Sequence, residues 1–284
     1  MGFIYLYADD TQIYFSFDVH SDKIDLTALK MCFQEIKAWM CSNFMMLNDD
    51  KTEFIDIGYY VSPLKSIELL NNITIKPATH AKNLGFMFDH SMSLENQISY
   101  VSQMCYLNLR DLKRIACRLN HDLKVQLVQS NILSIRDYCN ATYGALTEKN
   151  LNTLQVLQNN AVRFIFNLVG KKKRYPIMPY LKKLHFLPVR YRIKFKVSLL
   201  VFKCLNGISP EYLNDFIVPR STKRKSLRLD DDYFVLQIPN PPQFTRTKAA
   251  FSHHGPNLWN ELPYDIRSIT KLEQFKKCLK NLLL

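Results

Sequence analysis

Asp9 and Asp10 are adjacent carboxylates in the middle of FIYLYADDTQIYFSF, with runs of Ile, Leu, Tyr and Phe on both sides. Oxygen donors of this kind hold hard divalent cations. A phosphoryl-transfer site that uses two such ions about 4 Å apart needs carboxylates from more than one backbone segment, so one acidic pair supplies one side of it. Aspartates also gather in ordinary turns, because the side chain bonds nearby backbone amides. The flanking apolar runs distinguish this pair, since they would expose both carboxylates at the end of a buried ribbon.

A second set of residues is basic. Residues 1–150 hold 14 Lys/Arg against 17 Asp/Glu, a net of −3, whereas residues 151–284 hold 24 against 8, a net of +16. The stretch 163–228 has 17 basic residues and two acidic ones, Glu211 and Asp215. A one-signed field of that size suits a polyanion. Within it, Lys171, Lys172, Lys173, Arg174, Lys182, Lys183, Arg190, Arg192, Lys194 and Lys196 interleave with Tyr175, Tyr180, Phe186, Tyr191 and Phe195. Cations can grip phosphates and aromatic rings can stack on unpaired bases. On a helix over 190–205, however, the aromatics belong to the core and the cations are left as the binding surface. The same charge would serve a solvated face or an acidic protein partner.

Other chemistry is less supported. His253-His254 has no second pair at ligand spacing, and Asp230-Asp231-Asp232 lacks the acid-x-Lys of a nuclease. The seven cysteines contain no CxxC pair, which argues against a zinc ribbon and a disulfide scaffold and for reduced, mostly buried thiols. No run approaches the ~18 apolar residues of a membrane span, and MGFIYLYADD is acidic where a signal peptide would be cleaved. The expectation is an intracellular chain, nuclear or cytoplasmic, without a membrane partner.

The elements that must position these residues follow from periodicity. The opening reads as a β-hairpin with an acidic tip. Leu26, Leu29, Phe33, Ile36, Trp39 and Met40 give helical spacing over 26–46, with Ser21 and Asp22 as caps. Glu53–Gly58 reads as a third short strand, and 67–75 and 84–88 as further strands around Asn71-Asn72. From Leu94 onward helical spacing dominates, with helices expected over 94–115, 123–135, 149–166, 190–205 and 271–284. The Pro-, Asp- and Lys/Arg-rich 219–250 reads as a linker. The fold class is α+β: a small antiparallel sheet with one helix, then an all-helical stretch.

Tyr7-Ala8-Asp9-Asp10 resembles the reverse transcriptase signature, and the resemblance continues in register. LNDDKTEFIDIG (47–58) is similar to the Leu-Asn-x-x-Lys-Thr strand after the palm helix, and KNLGFMFD (82–89) to the Leu-Gly hairpin that leads to the thumb. DYCNATYGAL (137–146), LQVLQNNAVRFIF (154–166), LHFLPVRYRIKFKVSLLVFKCLNGISPEYL (184–213), FTRTKAAF (244–251) and GPNLWNELPYDIR (255–267) resemble the C-terminal region of non-LTR retrotransposons of the jockey and chicken-repeat type.

The resemblance implies a partial polymerase palm over 1–92, a helical thumb over 93–168 and a basic helical nucleic-acid-binding region over 169–284. The parent reaction is Mg²⁺-dependent, RNA-templated addition of deoxynucleotides to a primer. Asp9 would be a ligand of both metals, with Asp10 beside it. Tyr7 and Ala8 would lie beneath the primer end and the incoming nucleotide. Lys51 matches the lysine of the third block, placed to give a proton to the leaving pyrophosphate or pair with its charge. Leu84-Gly85 would bring backbone near the primer strand. The partners implied are RNA and DNA.

The departures are as informative. The family's first metal-binding aspartate and the fingers would precede Met1, so the 284 residues are expected to be inactive as they stand. Asp18 lies about 25 Å of extended chain from Asp10 at roughly 3.3 Å per residue, and Asp49 occupies a position often proline in the family. Neither is promoted to the missing ligand. A non-catalytic nucleic-acid-binding remnant and a helical module for an acidic protein partner stand as alternatives.

Overall fold

The computed structural model describes residues 2–8, 10–16, 26–48, 51–57, 66–70, 73–168, 175–220, 234–239 and 250–284. β1 (Gly2–Tyr7) pairs antiparallel with β2 (Asp10–Phe15), from Gly2 opposite Phe15 to Tyr7 opposite Asp10. Because partners in an antiparallel pair share a face, Tyr5, Tyr7, Asp10, Gln12 and Tyr14 lie on one side of the ribbon. Ile4, Leu6, Thr11, Ile13 and Phe15 lie on the other.

α1 (Thr27–Ser42) buries Phe33 against Ile67, with Leu26, Leu29, Leu47, Phe54 and Ile75 around them. Its first residue follows Leu26, which offers no side-chain cap; Ser21 and Asp22, read as caps, lie outside the described residues. The helix stops short of the expected Met46. The Asn43 side chain donates to Trp39 O at 2.8 Å, and Phe44 turns to the left-handed region at φ 58°. Two hairpins follow: β3 (Ile67–Leu70) with β4 (Ile73–Ile75), and β5 (His80–Asn83) with β6 (Phe86–Asp89). The turn between β5 and β6 is Leu84 (φ 45°) and Gly85 (φ 83°), the two positive φ values of a tight I′ hairpin. Glycine adopts this freely; leucine does so at a cost of about 1–2 kcal/mol. The strand expected over Glu53–Gly58 reduces to one parallel bridge between Phe54 and Pro77. Proline has no N–H with which to extend a ladder.

The chain divides into two compact units, residues 1–92 and 93–284. The second begins with α2 (Glu95–Arg114), a short 3₁₀ turn (Ala116–Arg118) and α3 (His121–Val128). α3 passes through a π turn (Gln129–Leu133) directly into α4 (Ser134–Asp137). Inside the π turn, Asn131 O accepts from Asn108 Nδ2 at 2.8 Å and Ile132 O from the Cys105 thiol at 3.5 Å, so the wider register presents backbone acceptors to α2. A 3₁₀ stretch (Asn140–Ala145) leads to α5 (Glu148–Ile165), whose N-terminus is capped by Thr147.

α6 (Met178–Lys183), α7 (Val189–Leu205), α8 (Glu211–Asn214), α9 (Phe251–Asn260), α10 (Tyr264–Arg267) and α11 (Leu272–Leu283) complete the unit. α7 packs against α5, α8, α9 and α11 and buries residues on most of its circumference, from Val189 to Cys204. A helix covered on several sides loses the one-sided apolar stripe of a surface helix. Its core partners include Trp259, Phe275 and Leu279, with Phe202 stacked on Phe275 at 4.3 Å between ring centres.

Residues 93–168 and 169–284, read as a thumb and a basic region, fall within one compact unit. Gln158 Nε2 donates to Leu187 O at 3.0 Å, and Val189 N donates to Gln155 Oε1 at 2.9 Å, so α5 holds the segment that begins α7. The linker reading of 219–250 fails at 234–239. Leu236 is buried, bonded through both its N–H and its carbonyl to the Asn260 side chain at 2.9 Å, while Trp259 Nε1 donates to Phe234 O at 2.8 Å; most of the remaining stretch lies outside the described residues. No helix was read over α9, which carries Pro256 inside it. Gly255 lets α9 approach α7 closely: a Cβ there would meet Val201 Cγ2 at 3.0 Å and Phe251 Cε2 at 3.3 Å.

The class is mixed α+β, with three two-stranded antiparallel sheets among the described residues. None of the helices described is long and apolar enough to cross a membrane.

Candidate functional site

In the first unit, Asp10 closes the β1–β2 ladder opposite Tyr7, and both side chains are exposed. Ala8, the first turn residue, has φ 54°, a left-handed conformation that costs a residue with a Cβ about 1–2 kcal/mol. Asp9 lies outside the described residues. The face that carries Asp10 is polar and aromatic. Tyr5 meets Tyr14 edge-on at 5.5 Å, and the Tyr14 hydroxyl donates to Gln12 Oε1 at 3.0 Å. Burial, with the neighbouring Tyr5, pushes the Tyr14 phenol above its ordinary pKa and keeps it a donor.

Gln12 uses its other end to donate from Nε2 to Asn83 Oδ1. Asn83 immediately precedes the Leu84–Gly85 turn, so this bond brings the acidic hairpin beside that turn across 71 residues of sequence. The stretch after α1 joins the same place. Asn48 organises its start, its carbonyl and side-chain oxygen accepting from Lys51 N at 3.2 and 3.3 Å and its carbonyl from Thr52 Oγ1 at 3.1 Å. Lys51 is exposed. Farther along, Ala78 N donates to Phe54 O at 2.7 Å, and Lys82 N donates to Glu53 Oε2 at 3.4 Å. The three stretches around Asp10, Lys51 and Gly85 therefore meet about β5. Asp49 and Asp50 lie outside the described residues.

The donor type at Asp10 suits Mg²⁺, which takes hard oxygen ligands. Among the described residues no group of three or more His, Cys, Asp or Glu gathers to hold a metal.

In the second unit the basic residues divide. Lys171, Lys172, Lys173 and Arg174 lie outside the described residues. Lys182 and Lys183 are exposed in the last turn of α6, where a cation complements the helix C-terminus; Lys183 Nζ sits 5.9 Å from the centre of the Phe166 ring. The four cations at the start of α7 are mostly engaged. Arg190 Nη2 bonds Glu148 Oε1 of α5 at 2.6 Å, Arg192 Nε bonds Asp137 Oδ2 of α4 at 2.9 Å, and Lys194 Nζ bonds Glu261 Oε2 beyond α9 at 3.3 Å. Lys196 is half-buried, and burial, reinforced by the Arg192 cation, lowers its pKa. Of the aromatics, Phe186 and Phe195 are core, Tyr180 packs on Phe166 at 4.8 Å, and Tyr175 and Tyr191 are exposed.

The strongest charge cluster was not singled out from the sequence. Asp137 accepts from Arg136 Nε at 2.9 Å and Nη2 at 2.7 Å as well as from Arg192. Arg136 is buried, and its Nη1 has no hydrogen-bond partner among the described residues. Two buried neutral groups lie close enough to feel this cluster. Burial pushes the Cys105 thiol up to about 11, against the pull of Arg136, and the Tyr143 phenol up to about 12. An aspartate next to an arginine in SIRDYC carries no spacing signal, since its importance comes from burial by other helices. Comparison with protein-family models, with curated proteins and with solved structures finds no match for this chain.

Proposed function

We propose that residues 1–92 are a partial palm of an RNA-directed DNA polymerase of the non-LTR retrotransposon type, and that residues 93–284 are the thumb and basic region that hold its RNA or DNA. The observation that supports this most is the Gln12–Asn83 bond. It ties β2 of the acidic hairpin to the strand that ends at the Leu84–Gly85 turn, and the bond from Lys82 N to Glu53 Oε2 ties the stretch after Lys51 to the same strand. In this reading Asp9 and Asp10 hold Mg²⁺, Tyr7 and Ala8 lie under the primer end, and Lys51 faces the leaving pyrophosphate.

One hairpin tip does not coordinate two ions, so the 284 residues alone are expected to give no incorporation in primer extension with Mg²⁺ or Mn²⁺. A longer chain that adds an upstream strand with a further aspartate is expected to incorporate nucleotides and to lose this with Asp9→Ala plus Asp10→Ala. Incorporation by the longer chain that survives the double change refutes the reading.

The net charge of +16 over residues 151–284 fits a second reading, a nucleic-acid-binding remnant without polymerisation. Salt separates it from a module for acidic proteins, since phosphate contacts release counterions and give a steep negative slope of log K against log salt. Replacing Lys171, Lys172, Lys173 and Arg174 with Ala should flatten that slope.

A further inference from the structure

We infer that the surface where the start of α3, the end of α5 and α6 meet is a platform for single-stranded nucleic acid, its rings covering an unpaired base and its lysines holding the strand's phosphates. The inference rests on the nucleic-acid-binding reading above and locates the contact. Three rings, one from each segment, form a series at this surface. His121 and Phe166 lie 5.1 Å apart between ring centres, and Phe166 and Tyr180 4.8 Å apart, with tilts of 55° and 56°. Phe166 and Tyr180 are half-buried, which fixes the inner rings, while His121 at the end of the series is exposed.

The charge around these rings is positive and not neutralised. Lys182 and Lys183 are exposed, Lys183 Nζ sits 5.9 Å from the centre of the Phe166 ring, and neither lysine forms an ion pair among the described residues. Lys124 adds a cation from α3. It is 4% exposed, donates from Nζ to Oδ1 of the exposed Asn167 at 2.7 Å, lies 5.5 Å from the centre of the Phe164 ring, and also has no ion pair among the described residues. A buried charge is screened less than an exposed one, so it contributes to the field outside. The cations of α7 differ: Arg190, Arg192 and Lys194 each hold a carboxylate, and a phosphate there would first have to break an ion pair.

Rings and cations together favour one class of partner. The bases of a duplex are covered by their neighbours, whereas an unpaired base offers a π-face that an aromatic side chain can cover whatever the sequence. Ammonium groups take phosphate as point charges and read no sequence either. Asp122, exposed next to His121, repels phosphate on the α3 side, so the strand's backbone follows α6 and a base turns toward His121. An acidic peptide would use the lysines and leave the rings idle.

The test measures fluorescence anisotropy of a short labelled single-stranded RNA, and of its duplex, with the 284-residue chain over a range of salt. The single strand should bind about tenfold tighter than the duplex, the scale of one stacked base. Lys182→Ala with Lys183→Ala should weaken single-strand binding and make the slope of log K against log salt shallower by about 1.4, at roughly 0.7 per phosphate contact. His121→Ala should weaken it about tenfold with the slope unchanged, and His121→Phe, which keeps a ring, should bind as the parent does. All three positions are exposed, so the variants keep the fold. Single-strand binding with a steep slope that both the lysine pair and His121→Ala leave untouched overturns the platform while the nucleic-acid reading survives. His121→Phe as weak as His121→Ala, or a duplex bound as tightly as the single strand, overturns the stacking role. Poly-glutamate bound more tightly than the RNA, and lost in the lysine variant, makes the partner an acidic protein and overturns the proposal. No binding of either RNA removes the platform and the nucleic-acid reading together.

Discussion

Replacing Asp137 with Asn keeps the size of the side chain and deletes its charge, and the loss falls on Arg136. That guanidinium is 3% exposed, uses two of its nitrogens on Asp137, and has no partner for Nη1 among the described residues. The surrounding groups cannot replace the missing anion at neutral pH, since Cys105 and Tyr143 ionise only near 11 and 12. Arg192, the second cation on Asp137, is 31% exposed at its side chain and can turn to water. The cost of Asp137→Asn is therefore that of stranding one buried cation, about 3–5 kcal/mol. For a domain of this size that corresponds to a fall in Tm of roughly 6–20 °C, at about 2–4 °C per kcal/mol. Arg192→Ala, breaking only the more exposed arm, should cost about 1 kcal/mol. Urea unfolding followed by the fluorescence of the buried Trp259 reads both. Adding Arg136→Met to Asp137→Asn removes the stranded charge and should restore most of the loss, because a buried ion pair is replaced by apolar packing at little cost. A loss below about 1 kcal/mol for Asp137→Asn, or no recovery in the double variant, would refute the reasoning.

Alkali should destabilise the second unit in a defined window. The Cys105 thiol is raised in the folded state from 9.0 to about 11, so its contribution to stability is full below pH 9 and is lost as pH rises toward 11, because the unfolded chain gives up the proton first. Tyr143, raised from 10.0 to about 12, continues the loss above pH 10. Cys105→Ala should flatten the fall between pH 9 and 11 in melts taken across that range, and an unchanged slope counts against the burial of this thiol. Gly255→Ala should lower Tm despite the roughly 1 kcal/mol helix preference of alanine, since its Cβ would press on Val201 Cγ2 at 3.0 Å. Overpacking of this kind costs about 1–3 kcal/mol. Val201→Ala in the same background should recover part of the loss, and a Tm above the parent's for Gly255→Ala alone would show that the contact relaxes freely.

Helical periodicity was legible wherever one chain segment decides its own structure. The expected helices 149–166 and 190–205 became Glu148–Ile165 and Val189–Leu205. The acidic hairpin was legible for the same reason, its two apolar runs pairing down to Tyr7 opposite Asp10, but the ribbon is not the buried one expected: Ile4, Tyr5, Leu6 and Tyr7 are exposed. What the sequence hid depends on distant partners. Arg190, Arg192 and Lys194 counted as surface cations, but their acids lie 42, 55 and 67 residues away. No local pattern announces that Asn260 and Trp259 will hold the backbone of 234–236, or that Gly255-Pro256 will lie inside a helix because α7 needs its backbone close. The Gln12–Asn83 bond, the core of the candidate site, is equally invisible: a glutamine and an asparagine in two hairpins carry no mark of each other.

The π turn at Gln129–Leu133 gives the second unit one residue of slack in its chain length. Because the wider turn takes up one extra residue, a deletion there would close it into regular α geometry and leave the side chains after it pointing as before. Arg136 and Asp137 would keep their positions relative to Arg192, whereas the same deletion a turn later, in regular helix, would swing them by about 100°. What the deletion would remove is the presentation of the Asn131 and Ile132 carbonyls to Asn108 and Cys105. The odd residue thus serves α2, not the register of α4.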